Sequence, residues 1–85
     1  MRIDKFLNST NVVKTRKIAQ DMCALGVVEI NGIIAKGSKE VKVGDKITLR
    51  FLESTKIYEV LAIPATKSIP KAKSSEYARL ISEGK

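Results

Sequence analysis

Two stretches of this chain could do chemistry. Lys36-Gly37-Ser38-Lys39-Glu40-Val41-Lys42-Val43-Gly44-Asp45 spaces lysines between glycines, and Lys14-Thr15-Arg16-Lys17 gathers basic side chains around a threonine. The chemistry they offer is non-covalent contact with phosphate. A guanidinium fork holds two phosphate oxygens at once, and an ammonium group supplies a point charge. If Thr15 caps a helix, the first turn adds unpaired N–H groups and the positive end of the helix dipole. Thr15 can cap, donate its hydroxyl to a phosphate, or do both. Arg16 and Gln20 fall one turn apart, so Arg16 can hold a phosphate while Gln20 reaches a sugar hydroxyl or a base edge. The ordinary explanation of Arg16 and Lys17 is helix solubility. Cations at a helix start oppose the dipole at a cost of a few tenths of a kcal/mol, and a bound anion accounts for them better.

Catalytic alternatives lack their residues. The chain has no histidine, which removes the commonest general base and every Ser-His or Cys-His arrangement. Nine carboxylates are present, but Asp4, Asp21, Glu29, Glu40 and Asp45 lie on different segments and announce no acid/base pair. Neither Gly37 nor Gly44 leads into the Lys-Ser or Lys-Thr of a nucleotide-hydrolase loop. Cys23 is the single cysteine, so an intramolecular disulfide and a cysteine-rich metal site are both excluded; its apolar helical setting reads as a buried thiol. The expected protein is not an enzyme and needs no cofactor or metal.

Charge supports a polyanionic partner. The 85 residues carry a net +7, which favours association with nucleic acid and predicts sensitivity to salt. The excess is uneven: Arg2, Lys5, Lys14, Arg16 and Lys17 face only Asp4 in the first twenty residues, and Lys36, Lys39, Lys42, Lys46 and Arg50 form a second cluster. A uniformly solvated basic surface is the plain alternative. The aromatics are Phe6, Phe51, Tyr58 and Tyr77, with Phe6 and Phe51 assigned to the core, so no stacking platform for single-stranded bases is evident. Structured RNA read through backbone and shape is the expected target; DNA is compatible with charge alone, but no helix-turn-helix or zinc module is present. No signal peptide or membrane span is read, which points to the cytoplasm.

These residues need elements to hold them. Ile3, Phe6 and Leu7 share one face of a short helix over Ile3 to Asn8, and Asn8-Ser9-Thr10-Asn11 breaks it. A second helix runs from Arg16 to Leu25, with Ile18, Met22 and Leu25 as the apolar stripe, Ala19 and Cys23 beside it, and Arg16, Lys17, Gln20 and Asp21 opposite. Gly26 marks its left-handed end. The period then changes to two. Val27 to Ile30 and Ile33 to Ala35 flank Asn31-Gly32, the strongest short signal for a type I′ hairpin. Lys46 to Phe51 places Ile47, Leu49 and Phe51 on one side, and Ile57 to Ile63 forms a further strand. Pro64 to Ser75 reads as a loop or linker. Ser75 to Glu83 reads as a terminal helix with Tyr77, Leu80 and Ile81 as its apolar side. The expected class is α+β: two N-terminal helices on a small, mostly antiparallel sheet over residues 1–63, then a linker and short C-terminal helix over 64–85.

Read in order, Met1-Arg2-Ile3-Asp4-Lys5-Phe6-Leu7, Thr15-Arg16-Lys17-Ile18-Ala19, Gly26-Val27-Val28-Glu29-Ile30-Asn31-Gly32, Ala35-Lys36, Ser38 and Val41-Lys42-Val43-Gly44-Asp45-Lys46-Ile47 resemble an S4-type (alpha-L) RNA-binding domain. The resemblance covers about residues 1–51. Size brings the chain near stand-alone members of that family, of a heat-shock type and a ribosome quality-control type. It implies binding to free large ribosomal subunits that carry a stalled peptidyl-tRNA, through large-subunit rRNA and tRNA. It further implies support of C-terminal tailing of the stalled chain, with a partner that delivers alanyl-tRNA, by a monomer in the cytoplasm.

Matched by position, Arg2, Asp4, Lys5, Arg16 and Lys36 fall on motif positions, with Arg16 foremost. Asp4 has an equal claim as a helix cap or as a salt-bridge partner that orients Arg2. Together with Lys14, Thr15, Lys17, Gln20, Ser38 and Lys39 these form the expected RNA-binding set. The segment Asn11-Val12-Val13-Lys14-Thr15 is poorer in arginine than is usual in the family. The long basic tail of the heat-shock type is missing, and the segment with Lys67, Lys71 and Lys73 could supply part of its role. A general structured-RNA or tRNA binder, a protein-interaction module and a detached accessory domain of an RNA-modifying enzyme remain as alternatives.

Overall fold

The computed structural model of the protein describes residues 1–65 and 69–84. Helix α1 spans Ile3–Ser9 and helix α2 spans Arg16–Ala24; strands β1 Val28–Ile30, β2 Ile33–Ile34, β3 Lys46–Arg50 and β4 Thr55–Val60 follow, then a 3-10 helix Lys71–Glu76 and strand β5 Ala78–Gly84. The five strands form one antiparallel sheet in the order β2-β1-β3-β4-β5. Among the described residues, no helix is long and apolar enough to cross a membrane.

Ile3, Phe6 and Leu7 are completely buried, as their helical spacing predicts. They join Val28 and Ile30 of β1, Ile47 and Leu49 of β3, Val60 of β4 and Ala78 of β5 in one core. Register makes this possible: Val28 pairs with Leu49 and Ile30 with Ile47, so the period-two apolar residues of neighbouring strands share a face. The alternation ends at Arg50, where β3 ends. Phe51, expected in the core, is 41% exposed, with the Lys56 ammonium 5.8 Å from its ring centre.

The hairpin follows its turn chemistry. Asn31 and Gly32 take φ of 52° and 85°, the positive pair that a type I′ turn requires. The turn is tied to the next strand through Asn31, whose amide donates to Asp45 and whose carbonyl oxygen accepts the Lys46 N–H. Asp45 also accepts the Lys42 N–H at 2.8 Å, so the 41–45 segment serves as the turn that enters β3.

Helix α2 begins as expected, with the Thr15 hydroxyl accepting the Ile18 N–H at 3.1 Å, but it is rotated about its axis relative to the apolar-stripe expectation. Its buried residues are Ala19 and Cys23, and Met22 packs partly buried against the core, whereas Ile18 is 42% and Leu25 77% exposed. Ala19 and Cys23 are small and let α2 approach α1 closely. Arg16, Gln20 and Cys23 follow one another at i, i+4 and i+7, so the turn that buries Cys23 also brings Arg16 and Gln20 to the rim of the packed face. Burial raises the Cys23 thiol pKa, with a smaller push from the Asp4 charge, and keeps the thiol protonated.

The C-terminal helix is present in a different place and form. It is a 3-10 helix over Lys71–Glu76, and the segment expected to be helical over Ser75 to Glu83 is mostly strand β5. The Tyr77-Leu80-Ile81 spacing fits a helix, but β4 offers an unpaired edge along Thr55–Val60. Pairing Val60 with Ala78 and Thr55 with Gly84 satisfies that edge and buries Ala78. Ile69 and Ser74, within the stretch expected to be a linker, are tied to the end of the first helix: the Asn11 amide donates to the Ile69 carbonyl at 3.0 Å and to the Ser74 hydroxyl at 2.8 Å. Lys71 and Lys73 are exposed on the 3-10 helix, and Lys67 lies outside the described residues.

Candidate nucleic-acid interface

The N-terminus is stitched to the Lys36–Val41 loop. The Ile3 N–H donates to the Lys39 carbonyl at 2.8 Å, Asp4 N–H to the Gly37 carbonyl at 3.3 Å, and Val41 N–H to the Met1 carbonyl at 3.0 Å. The Met1 ammonium meets Glu40 at 2.7 Å and holds the Glu40 carboxyl below its usual range. These bonds satisfy helix-start donors of α1 that would otherwise be orphaned. They also set the basic loop beside the first turn of α1.

Asp4 sits at this junction and is fully buried. Its Oδ1 accepts the Lys5 N–H at 2.7 Å, and its Oδ2 accepts from an Arg2 guanidinium nitrogen at 3.0 Å and from Gln20 Nε2 at 3.3 Å. An Arg16 guanidinium nitrogen lies 3.6 Å from Oδ1. One carboxylate therefore gathers side chains from the N-terminus and from two turns of α2. Burial without partners would be prohibitive for this charge; here it is matched by two arginines that stay half-exposed, at 47% and 43%. Each guanidinium spends one edge on Asp4 and keeps the rest for solvent or a ligand. The Asp4 carboxylate thus accepts a first-turn N–H of its own helix and an Arg2 donor, and it also reaches Arg16 and Gln20.

A groove of about 300 Å³ opens beside this carboxylate. Arg2, Gln20, Lys36 and Ser38 line it together with Cys23, Ala24 and Gly37. A methyl group at position 37 would lie 3.3 Å from Asp4 Oδ2, which would have to shift by a few tenths of an ångström against its bonds from Arg2 and Gln20. Gly37→Ala should therefore lower RNA affinity several-fold while leaving the circular dichroism spectrum unchanged; unchanged affinity in a filter-binding titration would show that the contact relaxes freely.

The expected RNA-binding residues divide by location. Arg2, Arg16, Gln20, Lys36 and Ser38 converge on the groove and its carboxylate. Lys36, Ser38 and Lys39 also border a second hollow, about 420 Å³, against Ile33 and Ile34 of the hairpin. Thr15 caps α2, and Lys17 pairs with Asp21 at 3.4 Å on the exposed side of that helix. Lys14 is exposed, and its carbonyl accepts the Asn8 amide at 3.1 Å. Lys5 is half-buried on α1. Gly37 was absent from the expected set, and Asp4 was expected to reach no further than Arg2. The available hint was an acidic residue within an otherwise basic N-terminal cluster.

Known proteins resemble this chain in sequence and in fold. Residues 1–47 match the S4 domain. An RQC P-site tRNA stabilizing factor of Helicobacter pylori is 51% identical over 77 residues, covering 91% of this chain and 92% of that protein. The factor of the same name from Streptococcus pneumoniae is 32% identical over 83 residues, covering 98% and 92%. The trimeric structure of Vibrio cholerae Heat Shock Protein 15 overlays with a TM-score of 0.83 at 32% identity, over 94% of this chain and 80% of that one. The solution structure of a hypothetical protein overlays with a TM-score of 0.84 at 48% identity, over 96% and 98%. The helix pair, the hairpin and the Asp4-centred cluster lie within or beside the matched span, and the chain belongs to the S4 domain family as a homologue of the RQC P-site tRNA stabilizing factors.

Proposed function

We propose that the protein is a non-enzymatic RNA-binding factor of ribosome quality control. It binds large ribosomal subunits obstructed by peptidyl-tRNA, contacts rRNA and the P-site tRNA, and so supports C-terminal tailing of the stalled chain by a partner that brings alanyl-tRNA. The observation that carries this reading is the buried Asp4 carboxylate with Arg2, Arg16 and Gln20 gathered around it, in a chain 51% identical to a named P-site tRNA stabilizing factor. Cations held on a rigid base contact a phosphate backbone at a smaller entropic cost than mobile ones. The main contact set is Arg2, Arg16, Gln20, Lys36 and Ser38, with Lys5, Lys14, Thr15, Lys17 and Lys39 at its margin.

Co-sedimentation with purified large subunits tests this. Arg16→Ala should lose at least about tenfold in association, since a charge-assisted contact contributes about 1.5–3 kcal/mol, with the fold intact. For about five phosphate contacts, affinity of the unaltered protein should fall roughly 10²–10³-fold over a fourfold rise in salt. Full co-sedimentation of the Arg16→Ala protein would remove Arg16 from the interface. Equal competition by bulk tRNA would favour a general structured-RNA binder.

A further inference from the structure

We propose that Gln20 reads the ribose 2′-hydroxyl and so gives this site its preference for RNA; the proposal rests on the RNA-binding reading above. A carboxylate oxygen only accepts, so the Gln20 group facing Asp4 Oδ2 at 3.3 Å must be the NH₂ end of the amide. That contact sets the amide flip and turns Oε1 away from Asp4. Of the side chains gathered at Asp4, Arg2 and Arg16 carry donors alone. Gln20 therefore brings a neutral amide acceptor beside two arginines that only donate.

That combination matches one chemical unit. The arginine donors suit phosphate oxygens, and an adjoining neutral acceptor suits a hydroxyl donor. A ribose carries such a hydroxyl and a deoxyribose does not. The groove beside Gln20 has the space, about 300 Å³, and the small residues Cys23, Ala24 and Gly37 form part of its lining. Gln20 itself is exposed.

The test uses the full chain and two hairpins of one sequence, one with ribose and one with 2′-fluoro-ribose in its place. The fluoro hairpin keeps the A-form helix and its phosphates but has no hydroxyl proton to donate. The unaltered protein should bind the ribose hairpin about fivefold more tightly, the value of one net hydrogen bond. Gln20→Met keeps the side-chain length without the amide, and should bind both hairpins equally. Leu52→Ala, a fully exposed side chain outside the contact set, should retain the fivefold preference. A Gln20→Met protein that is weaker on both hairpins by one common factor, with the preference intact, would overturn the proposal and leave Gln20 as a support for Asp4. Equal binding of both hairpins by the unaltered protein would overturn it as well. Binding of neither would overturn the proposal, while the RNA-binding reading is decided separately by co-sedimentation with large subunits.

Discussion

Asp4→Ala should weaken RNA binding several-fold and leave a folded protein. Two effects oppose each other. Deleting a carboxylate makes the site more positive, which favours a polyanion; for half-exposed, screened arginines such a change contributes at most about 1 kcal/mol. Against this, Arg2 and Arg16 lose the anchor that holds them at 3.0 and 3.6 Å, and Gln20 loses its acceptor. Each long side chain that must then be ordered on binding costs about 0.5–1.5 kcal/mol. Three side chains released together outweigh one added charge.

The same substitution leaves the Lys5 N–H without its 2.7 Å acceptor, and an orphaned buried donor costs about 1–3 kcal/mol of stability. A domain of this length has a total of about 4–13 kcal/mol, so the variant should still fold. A urea titration reads the second effect and filter binding the first. Asp4→Asn should share most of the loss in binding with a smaller loss in stability, because the amide oxygen can still accept. Wild-type affinity in Asp4→Ala would mean that the arginines are placed by something other than this carboxylate.

Phe6→Ala should have the largest effect on stability. Phe6 is completely buried and the largest of the fully enclosed side chains, and phenylalanine truncation in a core costs about 3–5 kcal/mol. That is a large part of the about 4–13 kcal/mol available to a chain of this length. The urea midpoint should fall steeply, and RNA binding should be lost only as the fold is lost. Phe51→Ala is the contrast: Phe51 is 41% exposed, and its replacement should shift the midpoint little. Equal losses from the two would mean that the core does not depend on Phe6 as its burial indicates.

The two phenylalanines also show where a linear reading works. Phe6 shares a helical face with Ile3 and Leu7 inside one element, so its spacing alone predicts burial. Phe51 continues the Ile47 and Leu49 alternation, but the strand stops one residue earlier and the pattern outlives the structure that would enforce it. Helix α2 makes the same point. Its apolar stripe of Ile18, Met22 and Leu25 is real in the sequence, yet close packing selects the small residues Ala19 and Cys23. At the C-terminus, the open edge of β4 overrides a local helical pattern, because an unpaired strand edge is satisfied by a strand.

By itself the sequence determined the features that depend on neighbours along the chain. These are the Thr15 cap, the left-handed Gly26, the Asn31-Gly32 turn, the alternation of Ile47 and Leu49, and the excess of positive charge that points to a polyanion. Each is set by backbone geometry or periodicity within a few residues. Only the tertiary structure decided which basic residues form one site. Asp4 meets Gln20 sixteen positions away, and the Lys36–Val41 loop reaches both because Ile3 and Asp4 donate their N–H groups to its carbonyls. Those bonds depend on how the helices and sheet close around the core. A buried charge must then find its partners within reach across space, which no spacing along the chain records.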